Sequence, residues 1–174
     1  MTSRAFVAGI LAMGIFGFGT KLQALEIGNA APAVVAVDQD GKEFSFADAY
    51  SQGMVLVFFY PKADTPGCTA QSCGLRDVAD RIGRTVIIGI SPDKPEKQKK
   101  FDEKYGLGFT LLADTENKVA KAYKVWKKKS MYGREYMGIE RSAFLIGPDG
   151  VILEAWYKVS PKDTPTNLLK ALGK

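Results

Sequence analysis

The sequence predicts an α/β domain: a central mixed sheet flanked by helices, with an added β-hairpin at its N-terminal side. Three observations carry that expectation. Residues 54–60 and 85–91 are short, continuous apolar runs, as strands buried on both faces are. Between them Leu75, Val78, Ala79 and Ile82 recur at i, i+3, i+4 and i+7, one face of a helix. Strand, helix and strand in that order make a βαβ unit with parallel strands. Toward the C-terminus, residues 142–146 and 151–157 flank the turn Gly147-Pro148-Asp149-Gly150, and a helix over 163–172 closes the chain.

The elements follow in order. Arg4 precedes an apolar run over residues 5–19, too short for a comfortable membrane span, and Ala24 offers a small residue for cleavage. Residues 1–24 therefore read as a signal peptide and 25–174 as the domain, exported and periplasmic. The alternative is an uncleaved membrane anchor. Residues 33–37 and 43–46 flank Asp38-Gln39-Asp40-Gly41 and read as the first hairpin. Asp38 and Asp40 belong to that turn, since the other ligands of a calcium loop are missing. The strand at 54–60 leads into a helix from about Cys68 to Ile82, ended by Gly83 and Arg84, and the strand at 85–91 follows. Pro95 opens a polar helix anchored by Phe101 and Tyr105. A short strand at 110–113 and a short helix at 116–123 come next. Residues 124–139 show little period and read as a surface loop.

Composition narrows the function. The chain has 174 residues, enough for one domain with its own core, and 46% apolar content, that of a globular protein. Its formal charge of +5 falls to +3 once Arg4 and Lys21 are set aside with the first 24 residues. That surplus is too mild to indicate nucleic acid, and the clusters at 97–100 and 127–129 read as solvated faces. There is no histidine. Ser-His and Cys-His catalysis are excluded, as is any histidine-ligated metal or haem, and no cofactor is expected.

Both cysteines lie in residues 61–73. Cys68 falls where a buried strand hands over to a helix. Backbone N–H groups at a helix start lack internal partners, and the dipole is positive there, which favours the attacking thiolate. Pro61, Thr65 and Cys68 are spaced Pro-x-x-x-Thr-x-x-Cys, and Cys73 stands five positions on. This segment resembles the active-site pattern of peroxiredoxins, and the second cysteine resembles the bacterioferritin-comigratory-protein (PrxQ) branch. The likeness continues through residues 58–62, 74–77 and 131–146. The βαβ unit, hairpin and final helix are the thioredoxin arrangement, so the resemblance and the pattern agree on a thioredoxin-like fold. The N-terminal hairpin and the inserted helix are what peroxiredoxins add.

The resemblance implies a thiol peroxidase acting on hydrogen peroxide and organic hydroperoxides. It implies Cys68 as the peroxidatic residue, Cys73 as its intramolecular resolving partner, and a thioredoxin-type protein as reductant. Thr65 would hydrogen-bond the peroxide, Pro61 would pack over the site and limit water, and Arg141 would stand beside the thiolate. From residues alone, Arg141 reads as a surface ion-pair partner. Ser142, Ala143 and Gly147 depart from the family's usual residues without touching a named role. A monomer is expected, with no stable membrane contact once the signal is removed.

The spacing of the cysteines constrains the chemistry. Along an intact helix, i to i+5 leaves side chains about 140° apart with Cα atoms roughly 8 to 9 Å apart, beyond the ~7 Å reach of a disulfide. Either the helix unwinds on oxidation or the stretch is not helical. Gly67 and Gly74 flank it, and glycine weakens helix by about 1 kcal/mol. Two competing readings are an exported thioredoxin-like disulfide exchanger, which wants Cys-x-x-Cys, and a non-catalytic domain with a static disulfide. The static bond would close a short loop worth only about 2 kcal/mol.

Overall fold

The computed structural model describes residues 24–174, so the signal peptide expected over 1–24 lies, but for Ala24, outside the described residues. A seven-stranded mixed sheet organises the rest. The N-terminal hairpin is β1, Val35–Asp38, and β2, Glu43–Ser45. Its turn is held by Asp38 Oδ1, which accepts from the N–H groups of Asp40 and Lys42, both at 2.9 Å. The turn reading of Asp38 therefore holds.

A short helix, α1, Phe46–Gln52, follows at once and was not expected from the sequence. Its signals are local: Ser45 Oγ caps the N–H of Asp48 at 3.3 Å, and Phe46, Ala49 and Tyr50 are buried at i, i+3 and i+4. The pre-site strand is β3, Val55–Phe59, buried throughout. The cysteine helix is α2, Pro66–Arg76.

Here the structure corrects the expectation of a helix to Ile82. After Arg76 the chain turns, and residues Ala79–Arg81 form a 3₁₀ turn. Leu75 and Ile82 are buried but Ala79 is exposed, so the stripe is shared between two pieces rather than one face. A tighter turn of three residues keeps nearly the same apolar spacing, which makes the two indistinguishable in sequence.

Strand β4, Val86–Ser91, pairs parallel with β3, from Val55 opposite Val86 to Phe59 opposite Ile90. Helix α3, Pro95–Tyr105, buries Phe101 and ends at Gly106, whose φ of +56° suits a glycine. Strand β5, Thr110–Ala113, pairs parallel with β4 and antiparallel with β1. Helix α4, Lys118–Ala122, is started by buried Asp114, which accepts from the N–H groups of Val119 and Ala120.

The second correction concerns residues 124–139. Instead of a loop they form a two-stranded hairpin, β6, Trp126–Met131, and β7, Arg134–Ile139. Tyr132 and Gly133 both hold positive φ, +51° and +74°, as a two-residue hairpin turn requires. This hairpin stands outside the main sheet and is wet over most of its length, so it carries no apolar alternation to read.

Strands β8, Ser142–Ile146, and β9, Ile152–Trp156, complete the sheet in the order β2-β1-β5-β4-β3-β8-β9, and α5, Asp163–Ala171, closes the chain. One face of the sheet packs against α1 and α4 through Phe46, Tyr50, Val119 and Tyr123. The other packs against α2, α3 and α5 through Leu75, Phe101 and Leu168, and Cys68 belongs to this second cluster. No helix among the described residues is long and apolar enough to cross a membrane.

Candidate active site

The register of β8 against β3 builds the site. Phe59 lies opposite Ser142, so Arg141, the residue before β8, stands beside the chain where β3 leaves the sheet for α2. Tyr60 continues the strand with its N–H on Ile90 O at 3.0 Å. Thr65 is the N-cap of α2 in extended conformation, Pro66 fills the first helical position, and Cys68 comes in the first turn. Cys68 is 1% exposed. Arg141 Nη2 donates to Cys68 Sγ at 3.4 Å, and Nη1 donates to Gln71 Oε1 at 2.5 Å. The surface ion-pair reading of Arg141 does not fit this geometry.

Gln71 and Thr164 are functional neighbours the sequence did not single out. Gln71, one turn after Cys68, accepts from Arg141 and donates through Nε2 to Thr164 Oγ1 at 2.9 Å, all within a buried cluster that ties α2 to α5. The only signal available was a polar residue at i+3 from the cysteine. A Cβ at Gly67 would stand 3.4 Å from both Arg141 Nη2 and Pro161 Cγ, and one at Gly74 would stand 2.9 Å from Pro165 Cγ. Both glycines thus permit close approach of α2 to its neighbours.

The loop before α2 is fixed from the other side. Asp93 Oδ2 accepts from Ala63 N–H at 2.6 Å and from Ser91 Oγ at 2.8 Å, while Lys97 Nζ reaches Asp93 Oδ1 at 2.5 Å. Asp64 holds a positive φ of +61°, and its carboxylate accepts from Lys104 Nζ at 2.9 Å and Tyr105 OH at 2.7 Å. Those two donors hold the Asp64 carboxyl below its usual range. Tyr60 is buried beneath the site with its hydroxyl donating to Gln98 Oε1 at 2.5 Å, and burial pushes its phenol well above its ordinary value.

The remaining expected residues are arranged as follows. Thr65 Oγ1 donates to Lys62 O at 3.0 Å, which leaves its lone pairs as acceptors. Pro61 is exposed. Cys73 is half-buried, and both cysteines are free thiols inside the intact α2. Among the described residues no group of three or more metal-binding side chains converges.

This arrangement has known counterparts. The AhpC/TSA family profile matches residues 27–155. The chain is 44% identical over 150 residues to Peroxiredoxin Bcp of Bacillus subtilis, covering 85% of this chain and 95% of that one. It is 47% identical over 133 residues to Peroxiredoxin Bcp of Escherichia coli, covering 75% and 85%. Among solved structures, Peroxidoxin BcpB of Mycobacterium tuberculosis is similar with a TM-score of 0.77 at 32% identity, over 86% of this chain and 97% of that one. The bacterioferritin comigratory protein of Xanthomonas campestris is similar with a TM-score of 0.77 at 30% identity, over 86% and 96%.

Proposed function

Because this chain belongs to the AhpC/TSA family, as a peroxiredoxin of the bacterioferritin-comigratory (PrxQ) branch, we propose that it reduces peroxides through Cys68 and resolves through Cys73. The observation that carries the reading is the buried Cys68 thiol on the first turn of α2 with Arg141 Nη2 3.4 Å from its sulfur. The Cys68 thiolate attacks the terminal oxygen of ROOH. An S–O bond forms, the O–O bond breaks, and its electron pair leaves with RO⁻, which takes a proton to become ROH. Cys68 is left as the sulfenic acid. The guanidinium and the helix N-terminus face the charge that moves from sulfur to the leaving oxygen. Thr65 Oγ1, its own proton committed to Lys62 O, accepts the O–H of the bound hydroperoxide. Pro61, exposed beside the loop that leads into α2, limits water at the site as the family pattern implies.

Cys73 then attacks the sulfenic sulfur, releasing water and forming the Cys68–Cys73 disulfide. Helix geometry keeps the two Cα atoms roughly 8 to 9 Å apart while α2 is intact, so its first turns unwind for this step. A thioredoxin-type dithiol reduces the disulfide and resets the helix. The Xanthomonas relative is described as active in alkyl peroxide reduction, which supports organic hydroperoxides beside hydrogen peroxide as substrates here. Arg4, the apolar run over residues 5–19 and the small residue at Ala24 support an exported, periplasmic domain 25–174, and the family resemblance supports a monomer. A mature chain starting at Leu25 is the expected result by mass spectrometry of protein from its source, whereas an intact N-terminus in the membrane fraction favours the anchor. The catalytic reading is tested by stopped-flow peroxide consumption with a thioredoxin system: Cys68→Ser loses turnover, and retained turnover would refute it.

A further inference from the structure

The hairpin of β6 and β7 was expected to be a solvated loop with a lysine cluster. Its lysines are not equivalent. Lys128 is exposed and pairs with Glu135 at 2.6 Å. Lys127 and Lys129 lie on the opposite face of the ribbon, are half-buried, and have no carboxylate partner among the described residues. Lys129 lies opposite Tyr136 across the strands, and Gly138 makes room there: a Cβ at that position would stand 3.2 Å from the Tyr136 ring and 3.5 Å from the Lys129 stem.

These side chains form one wall of a cleft of about 540 Å³, a size suited to a small molecule. The other wall is Glu140, Arg141 and the turn at Lys158 and Val159. That turn is fixed by the Val159 N–H on Arg141 O at 3.1 Å, and Lys158 is held at a positive φ of +50°. Apart from the Lys128–Glu135 pair, the cleft gathers three lysines and Arg141 against one carboxylate, Glu140. Lys127 and Lys129 thus cover their aliphatic stems and bring to the cleft ammonium groups without an acidic partner among the described residues. Arg141 joins the two places, since it lines this cleft and also reaches Cys68 Sγ.

We infer that this cleft binds the carboxylate of an organic hydroperoxide whose O–O group reaches Cys68, so that Lys127, Lys129 and Lys158 set the enzyme's preference for anionic hydroperoxides. The inference rests on the peroxidase reading above. The chemistry is the same: the hydroperoxide is the oxidant, the alkoxide is the leaving group, and the carboxylate departs unchanged with the product alcohol. A small anion fits better than an acidic protein face, because the two free hairpin lysines are half-buried inside a cleft while the exposed one already has its partner.

The test uses the reduced full domain in single turnover against hydrogen peroxide, cumene hydroperoxide and the para-carboxylate analogue of cumene hydroperoxide. At low salt the carboxylate analogue reacts about tenfold faster than the neutral compound, the lower end of electrostatic enhancement, and the advantage shrinks as salt is raised. In Lys127→Gln/Lys129→Gln the ratio of the two rate constants falls toward one. A control with the same loss of charge on α4, Lys118→Gln/Lys121→Gln, keeps the ratio. Equal rates for the two compounds at low salt overturn the inference, as does a ratio unmoved by the hairpin substitutions. A hairpin variant that changes KM for the reductant while leaving the hydroperoxide ratio intact also overturns it and makes the cleft a protein-docking site. If hydrogen peroxide itself is not consumed, it is the peroxidase reading that fails.

Discussion

Replacing Ser72 with alanine should slow the resolving step. Ser72 is fully buried on α2, next to Cys73, and its hydroxyl has no hydrogen-bond partner among the described residues. Burying an unpaired hydroxyl costs roughly 1–3 kcal/mol. That cost is present while α2 is docked and disappears once the turn unwinds and the hydroxyl meets water. The serine therefore biases the helix toward opening, and alanine, a better helix former, removes the bias. Taking the lower figure, about 1 kcal/mol, the opened population falls about fivefold, since ~1.4 kcal/mol is a factor of ten. If opening precedes disulfide formation, the Cys68–Cys73 bond forms about fivefold more slowly after the first oxidation, and overoxidation of Cys68 rises at high peroxide. Rapid acid quench followed by thiol alkylation and mass spectrometry reads the rate, and thermal unfolding reads the stability. A raised Tm with an unchanged disulfide rate would break the link between unwinding and resolution. A lowered Tm would show that the buried hydroxyl is satisfied after all.

Other perturbations separate the roles of the site residues. Arg141→Ala should slow the first oxidation about 10²-fold, the usual loss for one donor aimed at developing charge, and lower Tm as well, because buried Gln71 Oε1 loses its donor; a rate within threefold of the parent would return Arg141 to a structural role. Cys73→Ser should consume one equivalent of hydrogen peroxide and gain one oxygen in mass instead of forming a disulfide, and full thioredoxin-dependent turnover by that variant would remove Cys73 as the resolving residue. Alkaline unfolding offers a separate check on the far face of the sheet. Burial raises the Tyr50 phenol from 10.0 to about 12, with its hydroxyl 2.6 Å from that of Tyr123, which is raised in the same direction. Between these values the unfolded chain loses the proton first, so stability is intact below pH 10 and declines as pH rises toward 12. Denaturant titrations should find that decline, and Tyr50→Phe should flatten it by up to about 1.4 kcal/mol per pH unit. Equal slopes in the two proteins would contradict the burial argument.

What the sequence made legible follows from how each element is buried. Strands β3 and β4 are covered on both faces and write continuous apolar runs, so with the helix between them their parallel pairing could be read directly, whereas β5 was legible only as a short strand. The hairpin of β6 and β7 carries lysines on both faces and a turn built on Tyr132-Gly133, without the usual asparagine or aspartate, so nothing in its period announced strands. Helix α1 hid because its three buried residues span a single turn. For the site, the position of Cys68 at a helix start was visible in the pattern, but its contact with Arg141 depends on the pairing of Phe59 with Ser142, 83 positions apart in sequence. Only the family likeness anticipated that contact. Nothing in the sequence anticipated the Gln71–Thr164 link, because a buried polar pair on two helices leaves no local signature.

The central claim is that peroxide drives Cys68 into a bond with Cys73 by melting the start of α2. Amide hydrogen exchange before and after one equivalent of hydrogen peroxide tests it most directly. The account predicts that residues 69–73 lose protection on oxidation, that residues 86–90 in β4 keep theirs, and that a thioredoxin-type reductant restores the first set. Unchanged protection over residues 69–73 in protein whose two thiols have been lost to peroxide would contradict it.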